Sequence, residues 1–297
     1  MTDASSPLEG GRGVPAAAVG TAPTPPGPPP GLAQPRARSP IGVRLAEDPR
    51  AHLAFTGRRD GNLSWVVGGG DVAAARAGLL GLVGLGPDDA VFMEQVHGGA
   101  VMTVGPDDRG RGARARGDAI PGADALVTFA DDVALVVLVA DCVPLLLVDP
   151  GRGVAAVHAG RRGVESAVVA AAVSALADPP SSVIAVIGPA IGGCCYEVPA
   201  AMAEAVSASV PAARATTSWG APALDLPGAV RAQLETLGVA RIQRVGSCTR
   251  CGPQRWFSHR APAAGAGRQA GVVCRRVDQA TRPVAPGGKG GPPSLQW

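Results

Sequence analysis

The chain has 297 residues, with 27 basic and 24 acidic side chains and a net charge of only +3, too balanced for charge-driven binding to nucleic acid. Six cysteines are too few for a disulfide-stapled secreted scaffold. The longest apolar stretch, residues 133–148, is interrupted by Asp141 and Pro144 and is too short to cross a bilayer, and no N-terminal segment resembles a signal peptide. A cytoplasmic protein with no membrane or nucleic-acid partner is therefore expected.

Prolines crowd the first forty residues, with TPPGPPP at 24–30. Such a segment cannot bury enough apolar surface to offset its ordering entropy, so residues 1–45 are expected to be a disordered arm. Residues 278–297 read as a similar tail, which leaves 46–277 for one sizeable domain. Within it a first strand is expected over 52–55, then a polar turn. Asp71 is a good N-cap for an Ala- and Leu-rich helix over 72–83. Strands follow at 90–97 and 100–104, and Gly98-Gly99 between them signals a hairpin. Residues 106–119 read as a surface loop and 123–129 as a strand. Short Val- and Leu-rich runs at 133–140, 143–148 and 154–157 read as buried strands. An Ala/Val helix is expected over 164–177, a strand over 182–187 and helices from Pro199 and Pro227. Further short strands are expected at 224–226 and 242–245. Alternating strands and helices, some in hairpins, predict an α/β single domain with a mixed β-sheet core, sandwich-like, flanked by helices. No GxGxxG lies between a strand and a helix, so a dinucleotide fold is not supported.

The chemistry concentrates at strand ends. His97, Cys142 and His158 each end or interrupt an apolar run, where a polar group is costly unless it is paired or bound. Imidazole and thiolate both suit zinc, and three protein ligands leave a fourth position open for water or substrate. Two other readings of the same residues stand beside this one. They could be satisfied core histidines and a buried thiol, or Cys142 could be a nucleophile activated by His158 with Asp141 or another acid orienting the imidazole. Gly160-Arg161-Arg162-Gly163 at a helix start is a candidate anion site, in which Arg162 could clamp phosphate; otherwise it is a glycine turn with two solvated arginines. Cys194-Cys195 and the CxxC of Cys248 and Cys251 are weak signals on their own and read as structural or incidental.

Taken together and in order, QVHG at 95–98, DALVT at 124–128, ADCVPLLL at 140–147, HAGRRG at 158–163, IGP at 187–189, CYEV at 195–198 and CT…FSHR at 248–260 form a specific set. The chain resembles the YfiH family of laccase-domain proteins, also called peptidoglycan editing factor or purine nucleoside phosphorylase-like. The resemblance implies a zinc site, in preference to copper, made by His97, Cys142 and His158. It also implies phosphorolysis of adenosine, inosine and S-methyl-5′-thioadenosine, together with adenosine deaminase activity, so the expected partners are purine nucleosides and phosphate. Asn62 and Gln95 are expected to orient substrate, Arg162 to hold phosphate, and Asp141 is the nearest candidate for a general acid. Other activities attached to the family are hydrolytic editing of mis-built UDP-MurNAc-amino acid peptidoglycan precursors and copper-linked polyphenol oxidation. A non-catalytic, zinc-stabilised binding protein is the reading from a different class. Oligomeric state is not legible; a monomer is the simplest assembly. The chain departs from the family pattern at Arg161, where Trp is common, at Ala75-Arg76 in the first helix, and at WFSHR, where FFSYRR is usual.

Overall fold

In the computed structural model, which describes residues 40–261 and 265–277, the chain folds into two mixed sheets stacked face to face with helices on both outer faces. The strands in chain order are β1 (Ile41–Arg44), β2 (Ala51–Phe55), β3 (Ala90–Phe92), β4 (Val101–Thr103), β5 (Ala125–Thr128), β6 (Ala134–Val139), β7 (Val143–Asp149), β8 (Gly153–Ala159), β9 (Ile184–Ile187), β10 (Arg214–Thr216), β11 (Pro222–Leu224), β12 (Arg241–Arg244) and β13 (Gln269–Arg275). The helices are α1 (Val72–Gly81), α2 (Arg161–Glu165), α3 (Val168–Leu176), α4 (Ala200–Ser209) and α5 (Leu226–Thr236). One sheet has the order β1-β2-β13-β6-β3, the other β12-β9-β7-β8-β5-β4, and β10-β11 form a small ribbon.

Side-chain alternation explains the layers. In β6, Leu135, Val137 and Val139 face the inter-sheet core, whereas Ala134 and Val136 join the cluster under α1. In β7, Leu146 and Val148 face the other sheet, whereas Val143, Leu145 and Leu147 pack with α3, α4 and α5. Strands buried on both faces read as continuous apolar runs, which is why these were conspicuous in the sequence. Each fully buried Leu or Val contributes about 1.5–3 kcal/mol. Among the described residues, no helix is long and apolar enough to cross a membrane.

Several local expectations need correction. Residues 41–44, assigned to the disordered arm, form β1, because its backbone pairs with β2 from Ile41↔Phe55 to Arg44↔His52. Residues 1–39 of that arm, and the tail from 278, lie outside the described residues. The Gly98-Gly99 hairpin does not form. β3 ends at Phe92 and belongs to one sheet, while β4 pairs parallel with β5 in the other. Gly99 serves close packing instead, since a Cβ there would lie 2.7 Å from the Ser166 carbonyl oxygen. The helix expected over 164–177 is two helices. The chain breaks at Ala167, whose left-handed φ of 57° ends the five-residue α2 before α3 begins. β10 and β13 had no counterpart in the sequence reading.

Candidate metal centre and its cleft

His158 lies in β8, Cys142 immediately precedes β7, and His97 sits in the segment after β3. The fold brings these three to one end of the sandwich, where one ligand atom from each lies within 4.8 Å of the others. The two imidazole rings meet edge to face, with centroids 4.7 Å apart and an interplanar angle of 81°. His158 is buried, Cys142 is half-buried and His97 is exposed, so the cluster has a protein-facing back and an open front. Gly160 makes the close approach possible: a Cβ there would lie 3.0 Å from His97 Cδ2 and 3.2 Å from Cys142 Sγ.

The backbone around the cluster is held in costly conformations. Gln95, His97 and Asp141 are three of the five non-glycine residues with positive φ among the described residues, at 62°, 62° and 89°. Each such residue costs of order 1–3 kcal/mol and persists only where other contacts fix it. The Gln95 amide supplies one set, donating from Nε2 to the Leu138 carbonyl at 2.6 Å and accepting from the Leu138 N–H at 2.9 Å. The Asp141 carboxylate supplies another, accepting from Thr249 Oγ1 at 2.5 Å and from the Arg260 N–H at 2.8 Å.

Asp124 holds the rest, and the sequence reading did not assign it a role. Its fully buried carboxylate accepts from the N–H groups of Val96 (3.2 Å), His97 (2.9 Å) and Gly98 (2.6 Å). His158 Nδ1 lies 2.8 Å from the same carboxylate. An Nδ1–H donated to Asp124 leaves Nε2 free as a ligand, the usual carboxylate–histidine arrangement behind a metal. Burial works against the charge on Asp124, yet the hydrogen bond from His158 and the backbone donors keep its carboxyl below the usual carboxylate range. Burial likewise pushes the Cys142 thiol up, but the positive charge of His158 and hydrogen bonds from His158 and His97 bring it down to about 6. For His158, burial favours the neutral ring, and the facing Cys142 and Asp124 charges overcome it, raising the imidazole to about 9. In metal-free protein the pair is therefore a thiolate beside an imidazolium at neutral pH. The donor set also fits a resident divalent ion: one thiolate and two imidazoles suit zinc, with one side left open. Multicopper oxidase sites draw on many more histidines than the four in this chain.

The cluster forms the floor of a cleft of about 570 Å³, within the range of small-molecule sites. Its walls carry Arg76, Arg116, Arg161, Arg162, Arg260 and Arg268, against the acidic Glu94 and Asp141. Arg76 is buried, donates to the Leu63 carbonyl at 2.9 Å and lies 4.1 Å over the Phe92 ring; burial lowers its pKa to about 10, so it stays charged at neutral pH. Arg161 pairs with Glu165 at 2.7 Å. Arg162 is exposed in the cleft wall, and among the described residues its guanidinium has no hydrogen-bond partner. The helix it belongs to has only five residues, so the positive charge offered to the cleft here is the Arg162 guanidinium rather than a helix dipole. Trp65, Phe92 and Tyr196 add aromatic surface to the cleft.

Three further residues expected at the site each have hydrogen-bond partners within the protein. Gln95 lines the cleft, and both ends of its amide hydrogen-bond Leu138, which fixes the segment leading to His97. Asn62 is buried outside the cleft lining. Its Nδ2 donates to the carbonyls of Ser64, Val67 and Gly69, and its Oδ1 accepts from the N–H groups of Ser64 and Arg268, so it shapes the 64–69 loop, part of which walls the cleft. Asp141 accepts hydrogen bonds at both carboxylate oxygens, from Thr249 and from the Arg260 N–H, which anchors the segment between β6 and β7.

Comparison with known proteins gives a consistent result. The family profile described as multi-copper polyphenol oxidoreductase laccase matches residues 60–276. A purine nucleoside phosphorylase of Streptomyces coelicolor is 44% identical over 238 residues, covering 75% of this chain and 95% of that protein. One from Mycobacterium tuberculosis is 42% identical over 206 residues, covering 68% and 78% respectively. Among solved structures, YlmD from Geobacillus stearothermophilus superposes with a TM-score of 0.72 at 32% identity, covering 82% of this chain and 98% of that one. The Bacillus licheniformis hypothetical protein YfiH gives 0.69 at 27% identity, covering 76% and 93%.

Proposed function

The chain belongs to the multi-copper polyphenol oxidoreductase laccase family, the laccase-like YfiH group, and from that premise we propose that it is a metal-dependent purine nucleoside phosphorylase that also deaminates adenosine. The observation that carries this reading is the His97–Cys142–His158 cluster on the floor of a cleft walled by arginines. The cluster suits a divalent ion, zinc by its donors, and the walls suit an anionic co-substrate such as phosphate. When bound, the ion supplies Lewis-acid polarisation of an oxygen at the open front of the cluster.

The protein's own groups do the positioning. Arg162, with its guanidinium uncommitted, holds phosphate bidentately, and the surrounding arginines keep the dianion in the cleft. Trp65 and Tyr196 offer ring faces to the purine. In phosphorolysis a phosphate oxygen bonds to the ribose C1′, the C1′–N9 bond breaks, and the bond electrons leave with the purine. The proton of hydrogen phosphate can accompany the purine, so Asp141 is not required as an acid. Adenosine, inosine and S-methyl-5′-thioadenosine share the purine and the C1′ centre that such a site acts on.

The test is to incubate zinc-loaded protein with adenosine, with and without phosphate, and to separate the products by chromatography. Adenine and ribose 1-phosphate should form only with phosphate, inosine should form without it, and Cys142→Ala should abolish both. Absence of all three products would end this reading. Release of the amino acid from a mis-built UDP-MurNAc precursor, with nucleosides untouched, would replace it with the editing hydrolase.

A further inference from the structure

A second cluster of soft ligands lies away from the histidines. Cys194 and Cys195 sit in the loop after β9, and Cys248 and Cys251 form the CxxC after β12. Separate in sequence, the four converge, each Sγ lying within 4.8 Å of the others. Cys194 Sγ and Cys195 Sγ lie 3.7 and 3.4 Å from Cys251 Sγ. A tetrahedral zinc ion with Zn–S bonds of about 2.3 Å sets its sulfurs roughly 3.8 Å apart, close to these separations. A disulfide would need about 2.05 Å, and all four cysteines are free.

The surroundings are built for sulfur ligands. Cys195 and Cys248 are buried, and the Gly192 N–H donates to Cys248 Sγ at 3.3 Å, a bond that stabilises thiolate. The two loops are also joined by backbone, with the Thr249 N–H donating to the Ala190 carbonyl at 3.1 Å. Gly193 allows the first loop to sit down, because a Cβ there would lie 2.7 Å from Ala215 Cβ. Arg250 donates to the Cys195 carbonyl at 3.2 Å, placing a cation beside a site whose four thiolates would outweigh a divalent ion.

We propose that Cys194, Cys195, Cys248 and Cys251 bind a second zinc ion in a closed, tetrathiolate, structural site. Four sulfurs fill a tetrahedral shell and leave no place for substrate, in contrast with the open three-ligand cluster. The site would work by holding one wall of the cleft. Thr249, between the two cysteines of the CxxC, donates to Asp141, the neighbour of Cys142. Arg260, further along the same segment, donates its N–H to Asp141 and lines the cleft. This proposal does not depend on the nucleoside reading, since it concerns metal content and not turnover.

The experiment measures zinc bound to the full chain after exhaustive desalting. About two ions per chain are expected, and about one in Cys142→Ala, which leaves the tetrathiolate intact. X-ray absorption on Cys142→Ala should show a shell of four sulfurs, and cobalt substitution should give intense tetrahedral bands with sulfur-to-metal charge transfer. The double variant Cys248→Ser/Cys251→Ser should lose about half of the wild-type zinc. If that variant is insoluble, the Cys142→Ala measurements still decide. Zinc absent from Cys142→Ala, nitrogen or oxygen ligands in its shell, or disulfide-linked cysteines in protein unfolded without reductant would each overturn the proposal.

Discussion

Replacing Asp124 by Asn tests whether one buried carboxylate holds both imidazoles in place. Its Oδ1 faces the His97 N–H and His158 Nδ1, and its Oδ2 faces the N–H groups of Val96 and Gly98. An asparagine amide has one acceptor and one donor end, so in either orientation two N–H groups meet an NH₂. Hydrogen bonds to a charged acceptor are worth about 1.5–3 kcal/mol each, so losing two costs roughly 3–6 kcal/mol, a large part of a domain's stability. The His158 ring also loses the partner that fixes its tautomer, and such losses weaken metal binding about 10–100-fold. The assay is zinc competition against a chromophoric chelator at low temperature, on Asp124→Asn protein first shown to be folded by circular dichroism. A variant with wild-type zinc affinity and an unchanged melting temperature would refute the assigned role.

The remaining predictions concern the same end of the sandwich. Because His158 is protonated up to about 9, zinc must displace its proton; affinity should rise about tenfold per pH unit from neutrality and flatten above that value, as pH-resolved competition can show. In metal-free protein, Cys142 alkylation by iodoacetamide should have its midpoint near 6, with reactivity lost as pH falls below it; a midpoint near that of an ordinary thiol would contradict the thiolate–imidazolium pair. Arg162→Ala should raise the KM for phosphate about 10–100-fold while leaving the melting temperature unchanged, because the side chain is exposed and uncommitted. Gly160→Ala, at an ordinary φ of −77°, should weaken zinc binding by about 1–3 kcal/mol through crowding of His97 and Cys142; a calorimetric titration matching wild type would contradict that packing.

The metal-ligand candidates were legible because polar residues at the ends of apolar strands are conspicuous, as His97, Cys142 and His158 are. The layers were legible too, since Val- and Leu-rich runs such as β6 and β7 have few other uses. Asp124 was missed because it reads as part of a strand and nothing local shows what its carboxylate faces; only the folded chain shows three loop N–H groups aimed at it. The backbone bonds of Asn62 and Gln95 were not legible for a complementary reason: an amide that satisfies loop backbone and one that contacts ligand have the same signature in sequence. The Gly98-Gly99 pair was misread because tight turns and close packing both select glycine. The two cysteine pairs could not be joined in advance, since nothing local records that a strand-end loop and a distant CxxC share a corner.

The three donors straddle the seam between the sheets. His97 follows β3 of one sheet, His158 belongs to β8 of the other, and Cys142 lies on the link by which the chain crosses from β6 to β7. An ion seated there would act as a rivet between the sheets. At a hundredfold excess over its dissociation constant it would add about 2.7 kcal/mol to the resistance of the fold to heat and proteolysis. Metal starvation would then thin the population of molecules as well as silence them, making cellular abundance a gauge of metal supply.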